Sequence, residues 1–183
     1  MSKEVKYPFG PDTGLNDTNV GTSSDYVSAV KEHGNDTFHK TALTLTGALP
    51  TIAGGADLAV GRLLYTFPAG VIRIISAYLN GVAITQTEGN ITDDTPDVGL
   101  GTTIASGAVA VLGGTAAFEN VLTGQTFTDC DGTAEKVGAA STLIIDAADN
   151  HTLYLNVADG WAASGDAAAA ISGEVVITWE FIN

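Results

Sequence analysis

Three groups of residues in this chain have the types that could do chemistry. Thr128-Asp129-Cys130-Asp131-Gly132 sets the single cysteine among carboxylates, Asp93, Asp94 and Asp97 gather oxygen donors in one short stretch, and Trp161 follows Asp159-Gly160 in a turn. Neighbouring carboxylates raise a thiol pKa, so Cys130 is a poor nucleophile, and with no second cysteine it closes no disulfide within the chain. Clustered carboxylates suit a hard cation, which makes Asp93, Asp94 and Asp97 the candidate Ca²⁺ ligands. No full loop spacing with a closing Glu follows them, and acidic turns are expected in an acidic chain without any metal. Neither a metal nor a cofactor is therefore expected. An aromatic at Trp161 can lie on a sugar, anchor a neighbouring subunit or pack over the end of its own domain.

Other enzymatic signatures are missing from the sequence. His33, His39 and His151 are far apart, which gives poor support to a histidine metal site or a catalytic dyad. No Gly-x-Ser-x-Gly elbow is present, and Gly99-Leu100-Gly101 lacks the third glycine of a dinucleotide loop, with Ile104 in its place. The chain is not expected to be an enzyme. The Asn-x-Thr sequons at Asn16, Asn35, Asn90 and Asn150 follow from an Asn- and Thr-rich composition.

Charge divides the sequence. Of a formal net −14, residues 1–40 hold four Lys and six acids, whereas residues 41–183 hold only Arg62, Arg73 and Lys136 against fifteen acids. Such a body repels free nucleic acid and anionic membrane, so neither is an expected partner, and its surface suits assembly better than catalysis. No apolar run approaches the roughly 18 residues of a membrane-spanning helix. Met1 to Lys6 lacks the apolar core of a secretory signal, which predicts synthesis in a cytoplasm.

The elements that must position these residues read as strands. Residues 1–40 are rich in Gly, Asn, Asp, Thr and Ser without a sustained apolar period, which predicts an extended N-terminal arm with a short helical turn over Ser24 to Glu32. Tyr7-Pro8-Phe9-Gly10-Pro11 sets two rings beside conformationally restricted prolines, a reasonable design for a hook into a neighbour's groove; the alternative is a disordered tail. From Thr41 the period is two, with Leu43 and Leu45 on one face. Arg62 to Phe67 is a second run, and Val71 to Leu79 predicts a central strand covered on both faces. The latter stops at the Asn80-Gly81 turn signal, with Val82 to Thr85 returning as a hairpin. Thr142 to Ile145 and Thr152 to Val157 read as a pair of antiparallel strands, and Val175, Ile177, Trp179 and Phe181 form the inward stripe of the last strand. Strands parted by Gly-rich turns, with Ala167 to Ala170 confined to a short loop element, predict an all-β antiparallel sandwich of jelly-roll type over residues 41–183.

Thr95-Pro96-Asp97-Val98-Gly99-Leu100-Gly101-Thr102-Thr103, with Ala105-Ser106-Gly107-Ala108 and Ala117 to Thr126 after it, resembles structural proteins of tailed-bacteriophage heads. The ending, a Thr-Leu-Tyr-Leu-Asn-Val strand, an Asp-Gly-Trp turn and a Gly-Glu-Val-Val-Ile-Thr-Trp strand, is similar to the jelly-roll decoration, or cement, proteins that coat such heads. The resemblance implies a virion protein made in the host cytoplasm. It would sit on the outer capsid surface as a homodimer or homotrimer and lock adjacent major capsid subunits together. On that reading the arm, residues 1–40, is the partner-binding part, and Tyr7, Phe9, Tyr26, Phe38 and Trp161 are the capsid or subunit contacts. The alternative is a carbohydrate- or receptor-binding sandwich of a phage tail or other virion appendage, using Trp161. The major capsid protein itself is disfavoured, since its usual fold includes a long helix that this sequence lacks.

Overall fold

Period-two runs of β-branched and apolar residues form the strands, and no helix occurs among the described residues. The computed structural model describes residues 21–113, 117–159 and 166–182, so Tyr7, Phe9 and Trp161 lie outside the described residues. The strands are β1 (Thr22–Ser23), β2 (Val27–Gly34), β3 (Phe38–Leu45), β4 (Ala59–Thr66), β5 (Ile72–Glu88) and β6 (Asp97–Gly101). They continue as β7 (Leu122–Thr126), β8 (Glu135–Ala140), β9 (Ile144–Ile145), β10 (Thr152–Ala158) and β11 (Ala168–Phe181). One sheet has the order β1-β4-β10-β6-β7 and the other β2-β3-β11-β5-β8, with β9 beside β5. All pairings are antiparallel. The chain is an all-β sandwich.

The inner faces of the two sheets make one core. Leu43, Ile74, Leu79, Ile84, Val175, Ile177 and Trp179 from the six-stranded sheet meet Leu64, Tyr65, Val98, Leu100, Leu153 and Leu155 from the other. Each such aliphatic side chain stabilises the fold by about 1.5–3 kcal/mol on leaving water. In β11 the odd-numbered residues from Ala169 to Trp179 point inward without interruption wherever there is a side chain.

Several expectations change. β5 is one strand of 17 residues and no hairpin forms at Asn80-Gly81. Gly81 (φ +66°) instead adds a residue to β5 opposite Gly173 (φ +100°) of β11, where the register shifts between Ser172 and Glu174. The outer face of β5 is open, with Arg73 and Tyr78 exposed, so the strand is covered on one side only. β9 pairs with β5 and β10 with β4 and β6, so these two runs lie in different sheets. Ala168 to Ala170 belongs to β11 rather than to a loop.

Around Ser24 the chain turns, with the Tyr26 amide donating to Ser24 Oγ at 3.2 Å, and residues from Val27 onward form β2 instead of a helical turn. Pairing with β3 at Lys31↔Ala42 and Glu32↔Thr41 outweighs the weak helical spacing. The boundary drawn at residue 40 therefore falls inside β3, and Thr22 to Lys40 contributes to both sheets.

A Cβ at Gly173 would collide with the Gly81 carbonyl oxygen and approach Val82 Cα to 2.6 Å, whereas one at Gly81 would meet nothing within 4 Å. Gly81→Ala is expected to cost about 1–2 kcal/mol from its left-handed backbone alone. Gly173→Ala is expected to cost more, since strain and collision add. Urea unfolding of the two variants checks the order, and equal midpoints would argue against the paired-glycine account.

Candidate interaction surface

The outer faces of the two sheets differ in what lies over them. On the five-stranded sheet, Ala59 and Ala158 pair across β4 and β10 and join Ala105, Leu112 and Phe118 in a small second apolar cluster. The segment after β6 thus folds back over its own sheet. Asn156, fully buried on β10, pins it: Oδ1 accepts from the Ala105 amide at 2.8 Å, and Nδ2 donates to the carbonyls of Thr103 at 2.9 Å and Phe118 at 2.7 Å. A Cβ at Gly101 would strike the Phe118 backbone, and one at Gly99 would come within 3.0 Å of Leu112. Close packing under this segment accounts for the two glycines of Gly99-Leu100-Gly101.

The six-stranded sheet has no such cover among the described residues. Residues opposite one another in adjacent antiparallel strands share a face. Lys31, Ala42, Val176, Tyr78 and Gly138 form one row across this outer face, and His33, Lys40, Thr178, Ser76 and Ala140 form the next. Asn80 and Lys136 stand beside Glu174, and Arg73 beside Glu180 and Ile144. Of the five described Lys and Arg residues, Lys31, Lys40, Arg73 and Lys136 are on this face and only Arg62 is elsewhere. The two carboxylates beside these residues are engaged, Glu180 in an ion pair with Arg73 and Glu174 accepting from Asn80 at 3.1 Å, and Glu88 lies at the far end of the same face opposite Ala168. Three of the six most exposed large apolar side chains, Phe38, Tyr78 and Ile144, also lie here. A depression of about 470 Å³ runs between Lys31, Lys40, Tyr78 and Glu174.

Beneath β2 and β3 the inner side holds a polar chain. Trp179 Nε1 donates to Thr41 Oγ1 at 2.9 Å, and the Thr41 and Tyr65 hydroxyls donate to the Glu32 carboxylate at 2.8 and 2.7 Å. The Gly21 amide donates to Tyr65 Oη at 2.7 Å, which ties the start of the described chain to the core. Burial raises the Glu32 pKa against the lowering effect of these donors, and burial with the Glu32 charge raises that of Tyr65. Next to this chain His39 stacks on Trp179 with ring centroids 4.0 Å apart, is wholly buried, and finds no hydrogen-bond partner for either ring nitrogen among the described residues. Burial lowers its pKa, with Asp36 opposing the shift.

The residues singled out from sequence do not gather in one place. Cys130 is buried, and burial together with Asp94, Asp159, Asp129 and Asp131 pushes its thiol up to about 12. Asp97 Oδ1 accepts from the Thr126 hydroxyl at 2.8 Å, and no three His, Cys, Asp or Glu groups among the described residues form a metal-binding cluster. Asp93, Asp94 and Asp97 are thus not brought together as ligands. His151 contacts the Pro68 and Asp146 carbonyls, away from His33 and His39. Tyr26 is half-buried with the Arg62 guanidinium 4.2 Å above its ring, whereas Phe38 is exposed on the open face. Sequence reading missed the gathering of basic residues, because only strand order brings β2, β3, β5 and β8 together. The one signal was the period-two spacing of Lys31 and His33.

No family model matches this chain, and no curated protein matches it. A solved structure described as the cyanophage Pam1 capsid asymmetric unit aligns over 88% of this chain and 97% of its own, with 18% identity and a TM-score of 0.43. A likeness of that degree fixes neither role nor partner.

Two outcomes are expected. Asn156→Ala leaves the amide of Ala105 and two carbonyls without partners, a loss of about 2–4 kcal/mol, and hydrogen exchange at Ala105 should accelerate far more than in β11. For His39 the sign follows from its lowered pKa. Below its ordinary 6.5 the unfolded chain takes up a proton that the folded protein resists, so stability falls with pH. Glu32 acts oppositely: its raised pKa contributes stability that is greatest below 4.5 and is lost as pH rises. The stability gap between His39→Phe and the parent, from urea unfolding, should therefore widen in favour of the variant between about pH 7 and about pH 5. A constant gap would contradict the desolvated ring.

Proposed function

We propose that this chain is a virion structural protein that decorates the outer surface of a phage head and stabilises contacts between major capsid subunits. The supporting observation is where the phage-like phrases fall. Thr152 to Val157 lies in β10, between β4 and β6, and Glu174 to Trp179 lies in β11, between β3 and β5, so the resemblance runs through the middle of both sheets. Strand order supports the jelly-roll reading. With β1, β2 and β9 set aside, the sheets run 3-11-5-8 and 4-10-6-7, so the first and last strands are neighbours, as are the second and second-to-last. Jelly rolls of this kind serve viral capsids and lectins among other uses, so fold alone does not choose between them.

In this reading the partners are the major capsid protein and further copies of the chain, and no catalytic step is involved. Attachment to the head falls to the N-terminal segment with Tyr7 and Phe9, with Trp161 as a further contact, whereas Phe38, exposed on the open face, serves as a contact between subunits. Tyr26 contributes less, because Arg62 already occupies one face of its ring. Contacts repeated along a lattice seam must offset the freedom lost on association.

The experiment is co-sedimentation with purified heads lacking the protein. The full chain should bind saturably with a fixed number of copies per capsid subunit. A variant starting at Gly21 retains every described strand, and should keep near-UV circular dichroism from Trp179 while losing most head binding. A full chain that stays in the supernatant at every concentration defeats the proposal, and undiminished binding by the shortened chain defeats the role given to the N-terminal segment.

A further inference from the structure

The open face of the six-stranded sheet differs from the rest of the molecule in sign. Across β2, β3, β8 and the first half of β5 it bears four basic side chains against Glu174 and Glu180, both already engaged, while the other described residues offer Arg62 alone against sixteen acids, among them Glu88 on the same face where β5 ends. Lys31, Lys40 and Lys136 form no ion pair among the described residues. The acids concentrate at one end of the sandwich. There β5 and β10 stop while β4, β6 and β11 begin, since Glu88 pairs with Ala168, and Ala158 with both Ala59 and Asp97. Asp57, Glu88, Asp93, Asp97, Asp131 and Asp159 occupy these ends and loops, and no Lys or Arg stands among them.

We propose that the open face is a docking surface for a second copy of this chain, which presents its acidic end. The contact is heterologous, because each copy uses two different surfaces. Charge selects this arrangement over a face-to-face dimer, in which Lys31, Lys40 and Lys136 of one copy would meet the same residues of the other. Phe38, Tyr78 and Ile144 supply apolar area between the charges. The face measures about 20 Å by 20 Å from strand spacing and residue rise, below the roughly 800 Å² per partner of a stable complex. Association is accordingly weak in solution, and a fixed array of copies strengthens it by raising their local concentration.

The inference deepens the proposed role, in which further copies of the chain are partners, and its deciding measurement uses no capsid, so that the two readings fail separately. Sedimentation velocity of the full chain, at rising concentration and near-physiological salt, should show a reversible increase in mass that disappears near molar salt. Lys31→Glu with Lys40→Glu should remain monomeric, as should Glu88→Lys with Asp93→Lys; all four are surface changes that leave the core untouched. Mixing the two variants restores association, because the reversed end of one then meets the reversed face of the other. The proposal is overturned by a parent that is monomeric throughout, by association that survives the lysine changes, or by a mixture that stays monomeric. Loss of head binding in the lysine variant without any self-association in the parent would assign the face to the shell and overturn it equally.

Discussion

The pairing of β11 with β3 on one side and β5 on the other is the constraint on which the rest of the molecule depends. Through 14 residues it keeps a single phase, sending Val175, Ile177 and Trp179 into the core and Glu174, Val176, Thr178 and Glu180 outward. That alternation fixes which residues of β3 and β5 face solvent, and through them those of β2 and β8. The basic face is thus set by register, with Lys40 opposite Thr178 and Arg73 opposite Glu180. A slip of one residue would turn every side chain over.

The same alternation explains what could be read in advance. β11 and β3 were legible because an unbroken inward stripe in each meets a polar outer row. β5 was misread because its phase changes along its length. Ile72 and Ile74 point inward, then Ala77 and Leu79, then Val82 and Ile84, with register shifts at Ile75, near Gly81 and again at Thr87. Adjacent apolar residues at a phase change look like a strand covered on both sides, and the glycine that permits the change looks like a hairpin. Only the partner strand distinguishes these cases. β2 was hidden for a related reason: it is an edge strand with a single partner, and its own apolar period is weak.

The candidate surface was less legible than the fold. Composition showed that basic residues are few, yet their grouping depends on which strands adjoin, and four of them come from β2, β3, β5 and β8. His39 and Glu32 read as ordinary polar residues of an arm, and their burial follows from the inclusion of that segment in the sandwich. The packing role of the Gly99-Leu100-Gly101 phrase could not be read without the chain that crosses above it.

The phase changes in β5 also bear on how this strand can vary in length. Removing or adding a residue at Ile75, Gly81 or Thr87 alters a bulge and leaves the pairing on either side as it was. The same event anywhere else in the strand would bury a stretch of polar side chains and expose an equal stretch of core. Length differences among natural variants of this strand should accordingly fall at those three points, where the backbone already carries a spare unit.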